Sequence, residues 1–294
     1  MKKLSLLLAM AVFCLSVSAQ DEPTKSNDKD TIRVGGMIIV KKGKGNKGAE
    51  LTIRSGKGRD EVKRKKSNIS TNWWIVDLGF ANYNDQTNYA NAGSYLVNRP
   101  GSLPLDKNNF KLKTNKSVNV NIWLFMQKVN LVKHHVNLKY GLGIELNNYR
   151  YKSGNSLSYK EGGLVPYTTN TQTNAPFIFR DSISFSKNKL AADYVTVPVM
   201  LNFRSHPFGY KKGLNLSLGV STGYLYSQRN KQRSNERGKL KNKGDYDLEK
   251  FKFSYVAELG VGPIMLYGSY SPKSMYGRGL DVRPFNVGFR FSYW

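Results

Sequence analysis

The final ten residues, Phe285 to Trp294, alternate in character. Phe285, Val287, Phe289, Phe291 and Tyr293 fall on one face of an extended chain. Asn286, Gly288, Arg290 and Ser292 fall on the other. A strand that is aromatic on one side and small or polar on the other suits a transmembrane barrel, whose strands turn one face to lipid and the other to the lumen. The expected role of Phe285, Val287, Phe289, Phe291, Tyr293 and Trp294 is that of a closing assembly strand. Trp294 overhangs the apolar set by one position.

Seven earlier segments share the period of two. In residues 72–82, Trp74, Val76, Leu78 and Phe80 oppose Asp77, Gly79 and Ala81. In 117–127, Val118, Val120, Ile122, Leu124 and Met126 oppose Asn119, Asn121 and Trp123. In 136–146, six aliphatic or aromatic residues from Val136 to Leu146 oppose Asn137, Lys139, Gly141, Gly143 and Glu145. Segment 194–203 presents Val195, Val197, Val199, Leu201 and Phe203, and its Pro198, which cannot donate to a ladder, predicts a bulge. Segments 214–228, 251–262 and 264–271 complete the set, the last with an ambiguous register.

The connections alternate long and short. Those near 83–116, 148–192 and 229–250 are long, and the one near 272–281 is moderate. Those near 128–135, 204–213 and Gly262-Pro263 are short. Outer-membrane barrels pair short periplasmic turns with longer external loops, so the fold class expected is all-β: an eight-stranded antiparallel up-and-down transmembrane β-barrel of the outer-membrane type. A soluble exported β-sandwich is the rival fold and gives no reason for this rhythm.

Lys2 and Lys3 precede an apolar run, Leu4 to Val17, and Val17-Ser18-Ala19 offers a small-residue cleavage site. Residues 1–19 therefore read as a cleaved secretory signal peptide. Its loss removes Cys14, the single cysteine, and leaves no thiol chemistry. Residues 20–69 read as a basic, largely flexible periplasmic segment, with a short strand or hairpin between Thr31 and Val40. Residues 70–294 read as the barrel.

The formal charge is +26. In a cytosolic protein that suggests nucleic acid, but an exported chain meets lipid headgroups and lipopolysaccharide instead. Residues 41–66 carry eleven basic against three acidic side chains, and residues 229–250 eight against four. Both stretches read first as solvated flexible segments. Expected partners are outer-membrane lipid and lipopolysaccharide, the barrel-assembly machinery, and envelope or secretion-complex proteins, with no nucleic acid.

No catalytic, cofactor or metal site is expected. His134, His135 and His206 fall in short connections without a completing ligand set. Asp77, Lys139, Glu145, Lys252, Glu258 and Arg290 share the lumen-facing parity. Three acids and three bases in the narrow interior of eight strands read as a structural salt-bridge network rather than a reactive cluster. Trp73, Trp74, Trp123, Tyr149, Tyr151, Tyr224 and Tyr226 read as aromatic girdles at the lipid interfaces.

Several stretches carry a family likeness. They are Val136-Asn137-Leu138 with Gly141-Leu142-Gly143-Ile144-Glu145-Leu146-Asn147-Asn148-Tyr149-Arg150, then Asp181-Ser182-Ile183, Lys187-Asn188-Lys189-Leu190 leading to Val197-Pro198, and Pro284-Phe285-Asn286-Val287-Gly288-Phe289. Over roughly residues 70–294 the chain resembles the PorT-like outer-membrane β-barrel proteins of Gram-negative bacteria that bear a gliding or type IX secretion apparatus. The resemblance implies a barrel and, through the family's founding member, a link to secretion. The expected function is a non-enzymatic integral outer-membrane protein with a structural or interaction role. A small outer-membrane channel or transporter, and an outer-membrane enzyme acting on lipid or peptide, are the alternatives.

Overall fold

The computed structural model describes residues 31–34, 37–42, 50–55, 67–152, 154–206, 213–261 and 264–291, with side chains from Ser67 onward. The expected leader (residues 1–19), the Gly262-Pro263 turn and Ser292, Tyr293 and Trp294 lie outside these. The chain divides into two compact units, residues 1–65 and 66–294.

In the first unit, Thr31–Val34, Met37–Lys42 and Glu50–Ser55 form a three-stranded antiparallel sheet in chain order. The strand Glu50–Ser55 lies within the basic stretch expected to be flexible. Its Leu51-Thr52-Ile53 core has the β-branched, period-two character of a strand, obscured in the sequence by the glycines and lysines around it.

The second unit is built on eight long strands: β1 (Ile69–Asp85), β2 (Val118–Val132), β3 (Val136–Arg150), β4 (Lys187–Arg204), β5 (Leu214–Ser234), β6 (Phe251–Val261), β7 (Ile264–Tyr270) and β8 (Val282–Phe291). Each pairs antiparallel with its neighbour in sequence. β8 returns to β1, with Leu78 opposite Phe289 and Val76 opposite Phe291, and β4 pairs β5 along its whole length. The strands form a closed ring, so no edge among the eight is left unpaired. All eight segments expected from the alternation are present as strands.

Burial is inverted relative to a soluble protein. Leu78, Phe80, Val199, Leu201, Val287, Phe289 and Phe291 are exposed, while Asp77, Asn119, Lys139, Asn147 and Asn286 are buried. Side chains alternate across each strand, so one parity covers the outside and the other fills the ring.

Three register shifts interrupt the ring, one of them at the β2 end near Asn130 and Val132, and the other two change which residues share a face. At Trp74 and Leu124 the β1–β2 ladder skips one residue on each strand, and Leu124 is also extra against β3. Trp74 adopts φ 55°, an unusual conformation for a bulky residue. Beyond this point the parity of β2 flips, and Met126, expected to face lipid, is instead fully buried beside Ile75, Trp123 and Met200. The second bulge makes Tyr226 the extra residue of β5 opposite Asp193 and Tyr194. No bulge occurs at Pro198. The β3–β4 register is unchanged across it and only the pairs at Val197 and Pro198 are missing, because the missing N–H is accommodated by omitting ladder bonds on one side.

The short connections lie at one end of the ring and the long ones at the other. Between β2 and β3 only Lys133, His134 and His135 intervene, with φ of 44° and 62° at the first two. At the opposite end the strands run on beyond the length that a membrane crossing needs. β4 has 18 residues and β5 has 21, whereas crossing the hydrocarbon takes about 9–11. Residues 229–250, expected as a flexible loop, are correspondingly structured. β5 continues to Ser234 and turns into the strand Gly238–Lys243, which pairs along it.

The long connections fold into a cap. Asn155–Lys160 and Leu96–Val97 flank Phe177–Phe185 in a small sheet. A buried cluster containing Tyr95, Phe110, Tyr149, Tyr151, Tyr159, Tyr246 and Tyr276 joins that sheet to the strand ends. Tyr95 donates to the Tyr246 carbonyl at 2.7 Å, and the Tyr159 and Tyr276 hydroxyls are 3.1 Å apart. Tyr149 and Tyr151, expected in an interfacial girdle, are therefore cap core at 1% exposure each. They sit where β3 leaves the lipid level, and their hydroxyls need partners that lipid would not supply.

Candidate functional site

The interior of the ring is filled by polar side chains in tiers. Nearest the short turns, Asn137 donates to Asn202 at 3.3 Å and Asn202 to Ser217 at 2.9 Å. The next tier is ionic. Arg290 on β8 grips Asp77 on β1 with two parallel hydrogen bonds, Nε to Oδ1 at 2.6 Å and Nη2 to Oδ2 at 2.8 Å. Its Nη1 also donates to Glu258 on β6, whose second oxygen accepts from Lys139 on β3. The planar guanidinium suits this work, since its fork meets one carboxylate edge-on and leaves a donor for a second.

Above lies Glu145. It accepts from Lys252, from Asn147 at 3.0 Å, from Asn286 at 3.1 Å and from Thr196 at 3.5 Å. The structure thus brings Asp77, Lys139, Glu258 and Arg290 into one connected group and Glu145 with Lys252 into a second. Every ion-paired side chain of the two groups is at most 8% exposed.

Neutral side chains complete the arrangement, and several escape sequence reasoning. Trp123 is not a girdle residue: its Nε1 donates to Asp77 Oδ2 at 2.7 Å, and the Arg290 guanidinium stands 5.6 Å from its ring centre. It shares the parity of Asn119 and Asn121, which was the available signal. Asn121 donates to the same Asp77 oxygen at 3.1 Å, and Asn119 bridges Asn121 and Asn147 at 3.0 and 2.8 Å. Tyr267 on β7 donates to Asn119. Its strand is the one whose register the sequence left ambiguous. Trp73, Trp74, Tyr224 and Tyr226 are exposed on the outer wall, the tryptophans toward the short-turn end and the tyrosines toward the cap.

An internal cavity of about 30 Å³ remains between Trp123, Glu145, Thr196, Glu258, Tyr267 and Arg290. That is room for about one water molecule. Of the closing-strand residues, Val287, Phe289 and Phe291 are exposed on the outer wall, and Phe285 is partly so.

A family model described as outer membrane protein β-barrel domain matches residues 76–293. The chain belongs to that family. The eight-stranded ring is accordingly an outer-membrane barrel, its apolar wall facing lipid and its charged tiers inside. Among solved structures, the chain is similar to Ail, the attachment invasion locus protein of Yersinia pestis, in complex with the heparin analogue sucrose octasulfate. That likeness has 13% identity, 75% of this chain and 98% of that one covered, and a TM-score of 0.27. No curated protein matches the chain.

The cap of this barrel has a predictable alkaline limit. Burial pushes the Tyr151 and Tyr246 phenols from 10.0 up to about 12, and burial also raises Tyr95 and Tyr159. Folded values above the unfolded value mean that this contribution to stability is complete below pH 10. It is lost as pH rises through about 12, where the unfolded phenols are ionised and the buried ones must follow. Proteolysis of the cap followed against pH should show protection up to about 10 and its loss across the next two units, in step with tyrosinate absorbance. Cleavage that begins near neutrality would contradict this.

Proposed function

We propose that the protein is a non-enzymatic, integral barrel whose filled lumen and folded cap make it a rigid platform in the outer membrane. The observation that carries this reading is the mutual saturation of the lumen charges. All six expected charged residues are ion-paired to one another, and the void described between Trp123, Glu145 and Arg290 is of water size. An eight-stranded ring is just wide enough for its own side chains. The same saturation weighs against an enzyme: Asp77 and Glu145 each accept from several fixed donors and are buried.

On this reading the cap faces outside the cell, the short turns and the residue 31–55 sheet lie in the periplasm, and the chain is exported by residues 1–19. A PorT-like role in secretion is the finer form of the proposal, and it is supported by the motifs quoted above. Platform surfaces then act on envelope proteins through the cap, the outer wall or the periplasmic sheet.

Conductance separates the platform from the alternative of a channel. Purified protein in planar bilayers should give no stable unitary steps. Steps that persist and that change in ion selectivity with Lys139→Met would replace the platform with a pore.

A further inference from the structure

Above the lipid level, the outer wall of β3, β4, β5 and the strand Gly238–Lys243 carries a grating of cations. Arg150, Lys189, Lys231 and Lys241 lie directly opposite one another across the four strands. Beside that row lie Lys187, Arg233 and Lys239, and on its other flank Arg229 and Lys243. Neighbouring strands are about 4.8 Å apart, so four cations span about 14 Å in one line. Among the described residues only one carboxylate is ion-paired to this grating, Asp193 on Arg229.

The arrangement is held from behind. Asn188, Asn230 and Gln232 occupy the opposite parity and are buried. Asn230 donates to Asn188 at 2.9 Å, and Gln232 to the Leu157 carbonyl and Ser158 at 2.9 and 3.0 Å. The cations cannot rotate inward. Like charges directly opposite on a ladder are destabilising. Desolvation and the surrounding cations lower both Lys189 and Lys231 from the usual lysine range. A surface that carries this repulsion with one internal carboxylate, Asp193, is complementary to a multivalent anion.

Its height and direction identify the anion. The grating begins three residues beyond Tyr226, the aromatic at the upper edge of the lipid-facing wall. It shares the strand face of Val195, Val197 and Tyr224 below, with Ala191 and Asp193 buried between them. A ligand there stands beside the barrel at headgroup level. We infer that this face binds the phosphorylated saccharide headgroup of outer-leaflet lipopolysaccharide, with the row Arg150, Lys189, Lys231 and Lys241 as the phosphate contacts. The inference rests on the outer-membrane orientation proposed above.

The test uses full-length protein folded in neutral phosphatidylcholine nanodiscs, with folding scored first by heat-modifiable electrophoresis. The probes are rough lipopolysaccharide, the same material stripped of phosphate by hydrofluoric acid, and soluble inorganic polyphosphate. Intact lipopolysaccharide should bind in a salt-sensitive manner. Lys189→Gln, Lys231→Gln and Lys241→Gln combined should weaken binding by about tenfold or more. The same number of changes at Lys107, Lys133 and Lys273, away from the row, should leave it unaltered. Equal binding by the triple variant, or indifference to phosphate removal, overturns the inference while leaving the barrel standing. Binding of polyphosphate alone replaces the lipid with a soluble polyanion and also overturns it. Failure to enter nanodiscs overturns the inference together with the membrane insertion it rests on.

Discussion

Replacing Arg290 with methionine should prevent stable insertion of the barrel. Its guanidinium satisfies Asp77 through two hydrogen bonds and Glu258 through a third, and it lies across the ring centre with 3% of its side chain exposed. Removing it leaves Asp77 with no cation, held only by Trp123 and Asn121, and Glu258 with Lys139 alone, in a space with room for about one water. Breaking a buried pair costs about 3–5 kcal/mol, because the partner charge remains desolvated. Here one cation serves two acids, so the loss belongs at the upper end.

The neighbouring pairs should respond in a graded way. Lys252→Met leaves Glu145 with Asn147, Asn286 and Thr196 as donors and should cost about 1–3 kcal/mol. Lys139→Met leaves Glu258 held by Arg290 and should also be milder than loss of the arginine. Arg290→Lys keeps the charge but not the fork, and should fall between. Urea unfolding midpoints in phospholipid vesicles, read by heat-modifiable electrophoresis, check the order. A wild-type midpoint for Arg290→Met would show that the tiers do not hold the barrel together.

Gly288→Val should be equally damaging for a steric reason. Gly288 on β8 faces Gly79 on β1 across the closing pair of strands. A Cβ at Gly288 would stand 2.3 Å from the Leu78 carbonyl oxygen, 2.4 Å from the Gly79 Cα and 2.7 Å from the Tyr267 ring. Two of these three are backbone, which cannot turn away, so the strands must part. The glycine pair leaves a hollow on the inner wall that the Tyr267 ring covers while its hydroxyl reaches Asn119. Overpacking costs about 1–3 kcal/mol even where side chains can adjust, and here it falls on the ring closure itself. Gly268→Ala is the matched control: the nearest atom to its Cβ is the Asn286 carbonyl oxygen at 3.6 Å, an ordinary contact. The folded fraction after refolding in detergent should collapse for the first variant and stay near wild type for the second. Equal yields would contradict the packing described.

Most of the barrel was legible because a strand buried on one face and facing lipid on the other writes its period into the chain. That is why Asp77, Lys139, Glu145, Lys252, Glu258 and Arg290 could be placed on the lumen side together. Parity propagates only while pairing is regular. The bulge at Trp74 and Leu124 has no local marker, since neither residue is a glycine, and everything beyond it on β2 changes sides, Met126 included. Trp123 was legible by parity but was outweighed by the habit of tryptophan to sit at membrane interfaces. The cap was illegible for another reason. Its contacts join residues far apart in sequence, Tyr95 with Tyr246 and Tyr159 with Tyr276, and no period within a loop reports them. The cation grating appeared only as an excess of lysine in residues 229–250, because its rows exist only once β5 has continued to Ser234 and paired on both sides.

The closed, membrane-inserted ring is tested most directly at its seam. Leu78 on β1 and Phe289 on β8 are paired in register and both face outward. In a Cys14→Ser background, cysteines at these two positions should be joined by a short bismaleimide in carbonate-washed outer membranes. The product should be a single internally crosslinked species with altered mobility on a denaturing gel. Leu78→Cys with Leu201→Cys, a pair on non-adjacent strands, should give none. Absence of the seam crosslink, or extraction of the chain by carbonate, would contradict a closed barrel in the outer membrane.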